Sequence, residues 1–207
     1  MIPARRVTLF SNWFAYYMRF RMRSYFNRLV VQPFEPQEGH SILLLCNHFS
    51  WWDGLWGNYL AYWHLNRRLY IMMQEDHLQK RMLLNLFGGF SINRTSREMI
   101  KSLQYAANLL NDKKNLVVVF PQGALESNHT TEILVERGIE LLIKNIKGPC
   151  QIVYSCALID YFESLKPSVF FHLFDCGTAD QVTFKDLTAK INTFHQQALK
   201  DQLNVQH

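Results

Sequence analysis

From Pro36 onward this chain alternates short apolar runs with stretches whose apolar residues recur at helical spacing, and that alternation limits the fold more than any other feature. Residues 42–46 and 116–120 are each apolar over five consecutive positions, the length of a buried strand. Val117, Val118 and Val119 are β-branched, as parallel sheets favour. Residues 69–73, 90–93, 151–158 and 169–174 read as further strands. Between them, Leu55, Trp56, Tyr59, Leu60 and Trp63 form a helical stripe, and helices are predicted over 76–86, 96–110, 131–146 and 187–199. The pattern predicts one α/β domain with a mostly parallel central sheet flanked by helices. At 207 residues, 48% apolar and 19% charged, the chain is long and apolar enough to bury a core.

The front of the chain differs. Six arginines (Arg5, Arg6, Arg19, Arg21, Arg23 and Arg28) precede the first acidic residue, Glu35, while the remainder carries 16 basic and 17 acidic residues. The net charge of +5 thus belongs to this arm, and a neutral body argues against nucleic acid as a partner. Residues 9–29 lack Pro and Gly and are predicted as one helix, with Phe10, Trp13, Phe14, Tyr17 and Met18 in an apolar stripe. A helix both aromatic and rich in arginine suits a membrane interface, where Arg19 and Arg21 reach head groups on long stems. Packing on the body of the domain is the other reading. The chain divides accordingly into residues 1–34, an N-terminal basic aromatic membrane-interface helix preceding the sheet, and residues 35–207, the α/β domain. The five-residue apolar runs are far short of the roughly 20 residues that span a bilayer. Arg19, Arg21 and Arg23 would interrupt a signal-peptide core. Four cysteines without a CxxC predict a reduced protein, so the expected location is the cytoplasmic face of the membrane, bound peripherally.

The densest chemistry lies in Asn47-His48-Phe49-Ser50-Trp51-Trp52-Asp53, directly after the first buried strand. Loops at the carboxyl ends of parallel strands are where α/β proteins place their sites. A His and an Asp five positions apart, on a turn entering a helix, can meet side chain to side chain. The carboxylate then holds one ring nitrogen as a donor and leaves the other as a base, worth typically ~10²–10⁴ in rate. A lone His near a lone Asp is more often structural, so two further segments matter. Gly88-Gly89-Phe90-Ser91-Ile92-Asn93-Arg94 brings an arginine to the end of another short strand, and Phe120-Pro121-Gln122-Gly123 ends a strand in a tight turn. The eight histidines never recur at i, i+3 or i, i+4, and no Cys/His cluster has zinc spacing. No phosphate-cradling Gly-rich loop and no Gly-x-Ser-x-Gly elbow occurs, so no metal or other cofactor and no α/β-hydrolase chemistry is expected.

In this order and spacing the three segments resemble the glycerolipid acyltransferase family, whose members acylate glycerol-3-phosphate and lysophospholipids. That family carries Asn-His-x-Ser-x-x-Asp, Gly-x-x-x-x-x-Arg and Phe-Pro-Glu-Gly-Thr-Arg-Ser. The resemblance spans residues 42–169, and the first motif matches at Asn47, His48, Ser50 and Asp53. It implies His48 as general base and Asp53 as its orienting partner. It further implies acyl-CoA or acyl-carrier protein as co-substrate, no covalent acyl-enzyme, and membrane lipids as partners. Asn47, Ser50, Arg94, Gln122 and Gly123 are the implied substrate-binding residues, with Arg94 on the acceptor's phosphate. Cys46 reads as a small core residue. Phe49, Trp51, Trp52 and Trp56 are expected at an apolar mouth, although for Trp56 ordinary core is an equal reading.

The third motif departs from the family. Gln122 stands for Glu, Ala124 for Thr and Leu125 for Arg, and Glu126, out of register, is expected to face solvent. The implied activity is transfer of a fatty acyl group to a hydroxyl of a lysophospholipid or related lipid. Two alternatives stay open: an acceptor that is a lipid alcohol or amine lacking phosphate, and a catalytically silent lipid-binding protein.

Overall fold

The computed structural model describes residues 1–93 and 96–205. Its strands are β1 (Leu29–Val31), β2 (Ser41–Cys46), β3 (Arg68–Gln74), β4 (Gly89–Ile92), β5 (Asn115–Val119), β6 (Cys150–Asp160) and β7 (Ser168–Thr178). The helices are α1 (Thr8–Tyr25), α2 (Asp53–Trp63), α3 (Glu75–Gln79), α4 (Ser96–Leu109), α5 (Gly138–Asn145) and α6 (Phe184–Gln202). All seven strands join one sheet in the order β1-β7-β6-β2-β5-β3-β4. From β6 through β4 neighbouring strands are parallel, and β7 with β1 runs against them. The mostly parallel α/β sheet flanked by helices is therefore present.

Alternation along β2 sets the layers. Ile42, Leu44 and Cys46 pack with Trp56, Leu60 and Ala61 of α2 and Met22 of α1. Leu43 and Leu45 point the other way, into a cluster with Leu103 and Ala106 of α4, Leu142 of α5 and Ile191 of α6. Both faces of β2 are thus buried, which is why its sequence reads as a continuous apolar run.

Three expectations need correction. The helix predicted to residue 29 ends at Tyr25. Phe26 turns extended, and Leu29 pairs with Val169 so that β1 lengthens the sheet. The helix predicted over 76–86 is split: α3 stops at Gln79, and a 3-10 helix over Met82–Phe87 closes on Gly88. Gly88 has φ +105, and a Cβ there would lie 2.3 Å from the Leu69 carbonyl oxygen, so only glycine fits. The helix predicted over 131–146 begins at Gly138, because the Asn192 side chain takes both the N–H and the C=O of Ile133, at 2.7 and 3.1 Å. β6 and β7 form an antiparallel pair with Gln151 opposite Thr178, so the sheet is mostly and not wholly parallel, as expected.

The N-terminal arm is joined to the body at both ends. Before α1, the backbone N–H of Ser91 donates to Ile2 and those of Arg5 and Val7 to Asn85 and Leu86, at 2.9, 3.2 and 3.0 Å. After α1, β1 enters the sheet. The helix itself buries Ser11, Ala15, Met18 and Met22. Small residues at the first two positions let α1 lie close on the body. Phe10, Trp13 and Tyr17 face outward, with Leu9, Tyr16 and Phe20 beside them. Phe14, expected on the outward stripe, instead stacks on Phe87 at 4.1 Å. Among the described residues, no helix is long and apolar enough to cross a membrane.

Candidate active site

The carboxyl end of β2 carries Asn47 and His48, and α2 opens at Asp53. Asp53 Oδ2 lies 2.7 Å from His48 Nδ1 and also accepts the backbone N–H groups of Phe49 and Ser50, at 2.8 and 2.9 Å. Three donors on one oxygen explain how the carboxylate bears burial to 2% exposure. A carboxylate only accepts, so the ring proton sits on Nδ1 and Nε2 carries the lone pair. The His48 side chain, 24% exposed, presents that nitrogen at the surface. Asp53 also complements the positive end of α2.

The turn after β5, the neighbour of β2, holds His48 from the other side. Phe120 stacks on the imidazole, with centroids 4.1 Å apart and planes at 19°. The His48 backbone N–H donates to Gln122 Oε1 at 2.8 Å, and its carbonyl accepts the Glu126 N–H at 2.8 Å. Gln122 Nε2 donates to the Glu126 carboxylate and completes the ring of contacts. Gly123 allows this turn with φ +68. Backbone, ring and carboxylate partner are each fixed independently, so the imidazole is held in one orientation.

A profile of the family described as Acyltransferase matches residues 27–161, well over half of the chain. The chain belongs to the acyltransferase family. A similar fold occurs in the 1-acyl-sn-glycerophosphate (LPA) acyltransferase PlsC from Thermotoga maritima, with a TM-score of 0.63 over 95% of this chain and 81% of that one. Identity is 14%, so that likeness speaks for the fold. Among curated proteins, no sequence matches at a significant level.

Within the acyltransferase, the predicted site residues fall into distinct groups. His48 and Asp53 meet. Asn47 is turned inward: its amide donates to the Ala157 carbonyl and accepts the Ala157 N–H, at 2.9 and 2.8 Å, so it ties the loop to β6. Gln122, 4% exposed, likewise uses both ends of its amide inside the protein. Ser50 Oγ accepts the Trp52 N–H at 3.1 Å and shapes the turn into α2. Arg94 lies outside the described residues. The strand that leads to it, β4, is three positions from β2 in the sheet, about 14 Å at ordinary strand spacing.

Trp56 is core, 2% exposed and packed on Phe26, Phe49 and Phe171. Trp51 is exposed beside Trp52, and Trp52 packs against Tyr25 and Phe26 at the end of α1. Burial and the nearby Asp53 charge push the Cys46 thiol far above its ordinary range, which suits an inert core residue. Glu126, expected in solvent, is docked on Gln122 and His48, a contact that no local pattern announces. Also unforeseen was a buried cluster behind the turn. His195 Nδ1 accepts from the Tyr154 hydroxyl at 2.9 Å, with Cys156 Sγ at 3.2 Å, and its Nε2–H donates to the Thr130 carbonyl at 2.8 Å.

Proposed function

We propose that this acyltransferase moves a fatty acyl group from an acyl thioester, acyl-CoA or acyl-carrier protein, to a hydroxyl of a lysophospholipid or related lipid. The His48–Asp53 contact is the observation that carries this reading. His48 Nε2 takes the proton of the acceptor hydroxyl as its oxygen attacks the thioester carbonyl. The Asp53 carboxylate stabilises the imidazolium that forms. As the carbon–sulfur bond breaks, the imidazolium returns the proton to the departing thiolate. The enzyme works at the cytoplasmic face of the membrane, bound through the outward aromatic face of α1. The contact of Tyr25 and Phe26 with Trp52 supports this, since it sets that face beside the loop carrying His48.

One observation favours a neutral or cationic acceptor as a second reading. Where the family has an arginine, Leu125 is 61% exposed, and the Glu126 carboxylate is docked on Gln122 of the same turn. Purified enzyme assayed with both donors over phosphorylated lysolipids, lipid alcohols and lipid amines separates the two readings. Product from at least one acceptor is expected, with His48→Ala at background. Equal turnover by parent and variant on every acceptor would sink the mechanism.

A further inference from the structure

Basic and acidic residues beyond the arm nearly cancel in number, but the fold does not spread them evenly. A cleft of about 540 Å³ opens where β2, β3 and β5 begin, at the opposite edge of the sheet from His48. Arg6, Arg67, Arg68, Lys113 and Lys114 line it, and Glu38 is the one carboxylate among its lining residues. The cations come from three separate segments: the arm, the start of β3 with the turn before it, and the turn before β5. The volume falls within the range of small-ligand sites.

Two of the guanidinium groups are held without neutralisation. Arg67 donates through Nε and Nη2 to the His40 carbonyl, at 3.3 and 3.2 Å, and through Nη1 to the carbonyls of Leu65 and Asn66, each at 3.2 Å. Carbonyls fix the group but leave its charge. Arg6 donates through Nη1 to the Thr8 hydroxyl at 3.5 Å, while its Nε is buried without a hydrogen-bond partner. Arg68 meets the exposed Asp112 at 3.5 Å; among the described residues neither Arg6, Arg67, Lys113 nor Lys114 makes an ion pair with a carboxylate. Like charges gathered this way repel one another and create a local field that an anion relieves. Guanidinium forks and lysine ammoniums together suit a phosphate group.

The position of the cleft indicates the source of that phosphate. Arg6, Thr8 and Asn12 belong to its wall, so α1 starts there. The Tyr62 hydroxyl donates to Asn12 and joins that wall to α2. From the cleft, α1 runs 18 residues, about 27 Å, to Tyr25 beside the His48 loop, with its aromatic side exposed along the way. We propose that this cleft binds the phosphate of an anionic bilayer lipid. Together with the end of α1 it gives the acyltransferase two contacts with the leaflet, which fix the edge of the sheet that faces the acceptor. The inference rests on the proposed docking of α1.

The test uses the full chain and vesicles of phosphatidylcholine, with or without phosphatidylglycerol. Lys113 and Lys114 are exposed, so Lys113→Ala/Lys114→Ala leaves the core intact. Binding to the anionic vesicles should weaken roughly 30-fold, with no change on the neutral ones. Parent-like binding of this variant to anionic vesicles overturns the proposal. Trp13→Ser/Phe20→Ser tests the underlying reading separately, because it should weaken binding to both vesicle types; no effect on either overturns α1 docking. Inorganic phosphate titrated by calorimetry distinguishes the soluble source. Saturable binding that the lysine variant loses while its vesicle binding is unchanged overturns the lipid assignment.

Discussion

Asp53 gives one oxygen to three donors while its other oxygen, Oδ1, is buried without a hydrogen-bond partner. Asp53→Asn can keep an oxygen toward the Phe49 and Ser50 N–H groups, with the amide nitrogen where Oδ1 lies. The turn should survive, but the negative charge that stabilises a protonated His48 is gone. We expect kcat to fall on the order of 10²–10⁴-fold with little change in Tm, and a similar loss for His48→Ala. Retention of kcat by Asp53→Asn would remove Asp53 from the mechanism. Gln122 supports a second prediction at this scale. Gln122→Glu replaces an amide donor with a carboxylate facing Glu126, so one oxygen must take up a proton or the ring of contacts opens. A loss of about 1–3 kcal/mol in chemical denaturation is expected, relieved when Glu126→Gln is added. If the two changes simply add, the Gln122–Glu126 contact is not coupled.

At the scale of elements, α1 carries two stripes side by side. Its aromatic residues follow helical spacing and were legible in the sequence as an apolar face. The buried face was less so: Ser11 and Ala15 carry little hydrophobic signal, and Met18, read as part of the apolar stripe, turns inward with Met22. What buries them is close approach to the body, a property of the partner as much as of the helix. The two faces should respond differently to change. Ala15→Leu overfills a position that is 1% exposed and should cost about 1–3 kcal/mol, read as a drop in Tm. Trp13→Ser, at 60% exposure, should leave Tm unchanged and weaken vesicle binding. Equal melting of the two variants would contradict this assignment of faces. The short strand β1 was hidden for a related reason: three residues give no periodicity, and the pairing of Leu29 with Val169 is a contact 140 positions apart.

Across the whole molecule, histidines far from the site couple stability to pH. Burial lowers the pKa of His195, opposed by its hydrogen bond to Thr130, and burial likewise lowers that of His172. The unfolded chain therefore binds these protons more readily than the folded one. Their contribution is complete above about pH 6.5 and is lost as pH falls through that value toward the depressed folded pKa, by up to about 1.4 kcal/mol per pH unit for each proton. Thermal melts from pH 7 to 5 should show a falling Tm. His195→Gln, which can still donate to Thr130 and accept from Tyr154, should flatten the slope. An unchanged slope would show that His195 does not carry it.

The alternation of strands and helices, the arginine-rich arm and the His48–Asp53 pair were all readable from residues 47–53 and from patterns a dozen residues long. Such features are local: a strand's run, a helix's period and a turn five residues wide are set by neighbours in the chain. Strand order is different. Whether β5 lies beside β2, so that Phe120 and Gln122 close on His48, depends on hydrogen bonds between segments some 70 residues apart. The same holds for β3 beside β5, which brings Arg67 and Arg68 to Lys113 and Lys114 and converts a body of balanced charge into one with a basic cleft. Composition sums charges along the chain, whereas long-range pairing decides which of them share a surface.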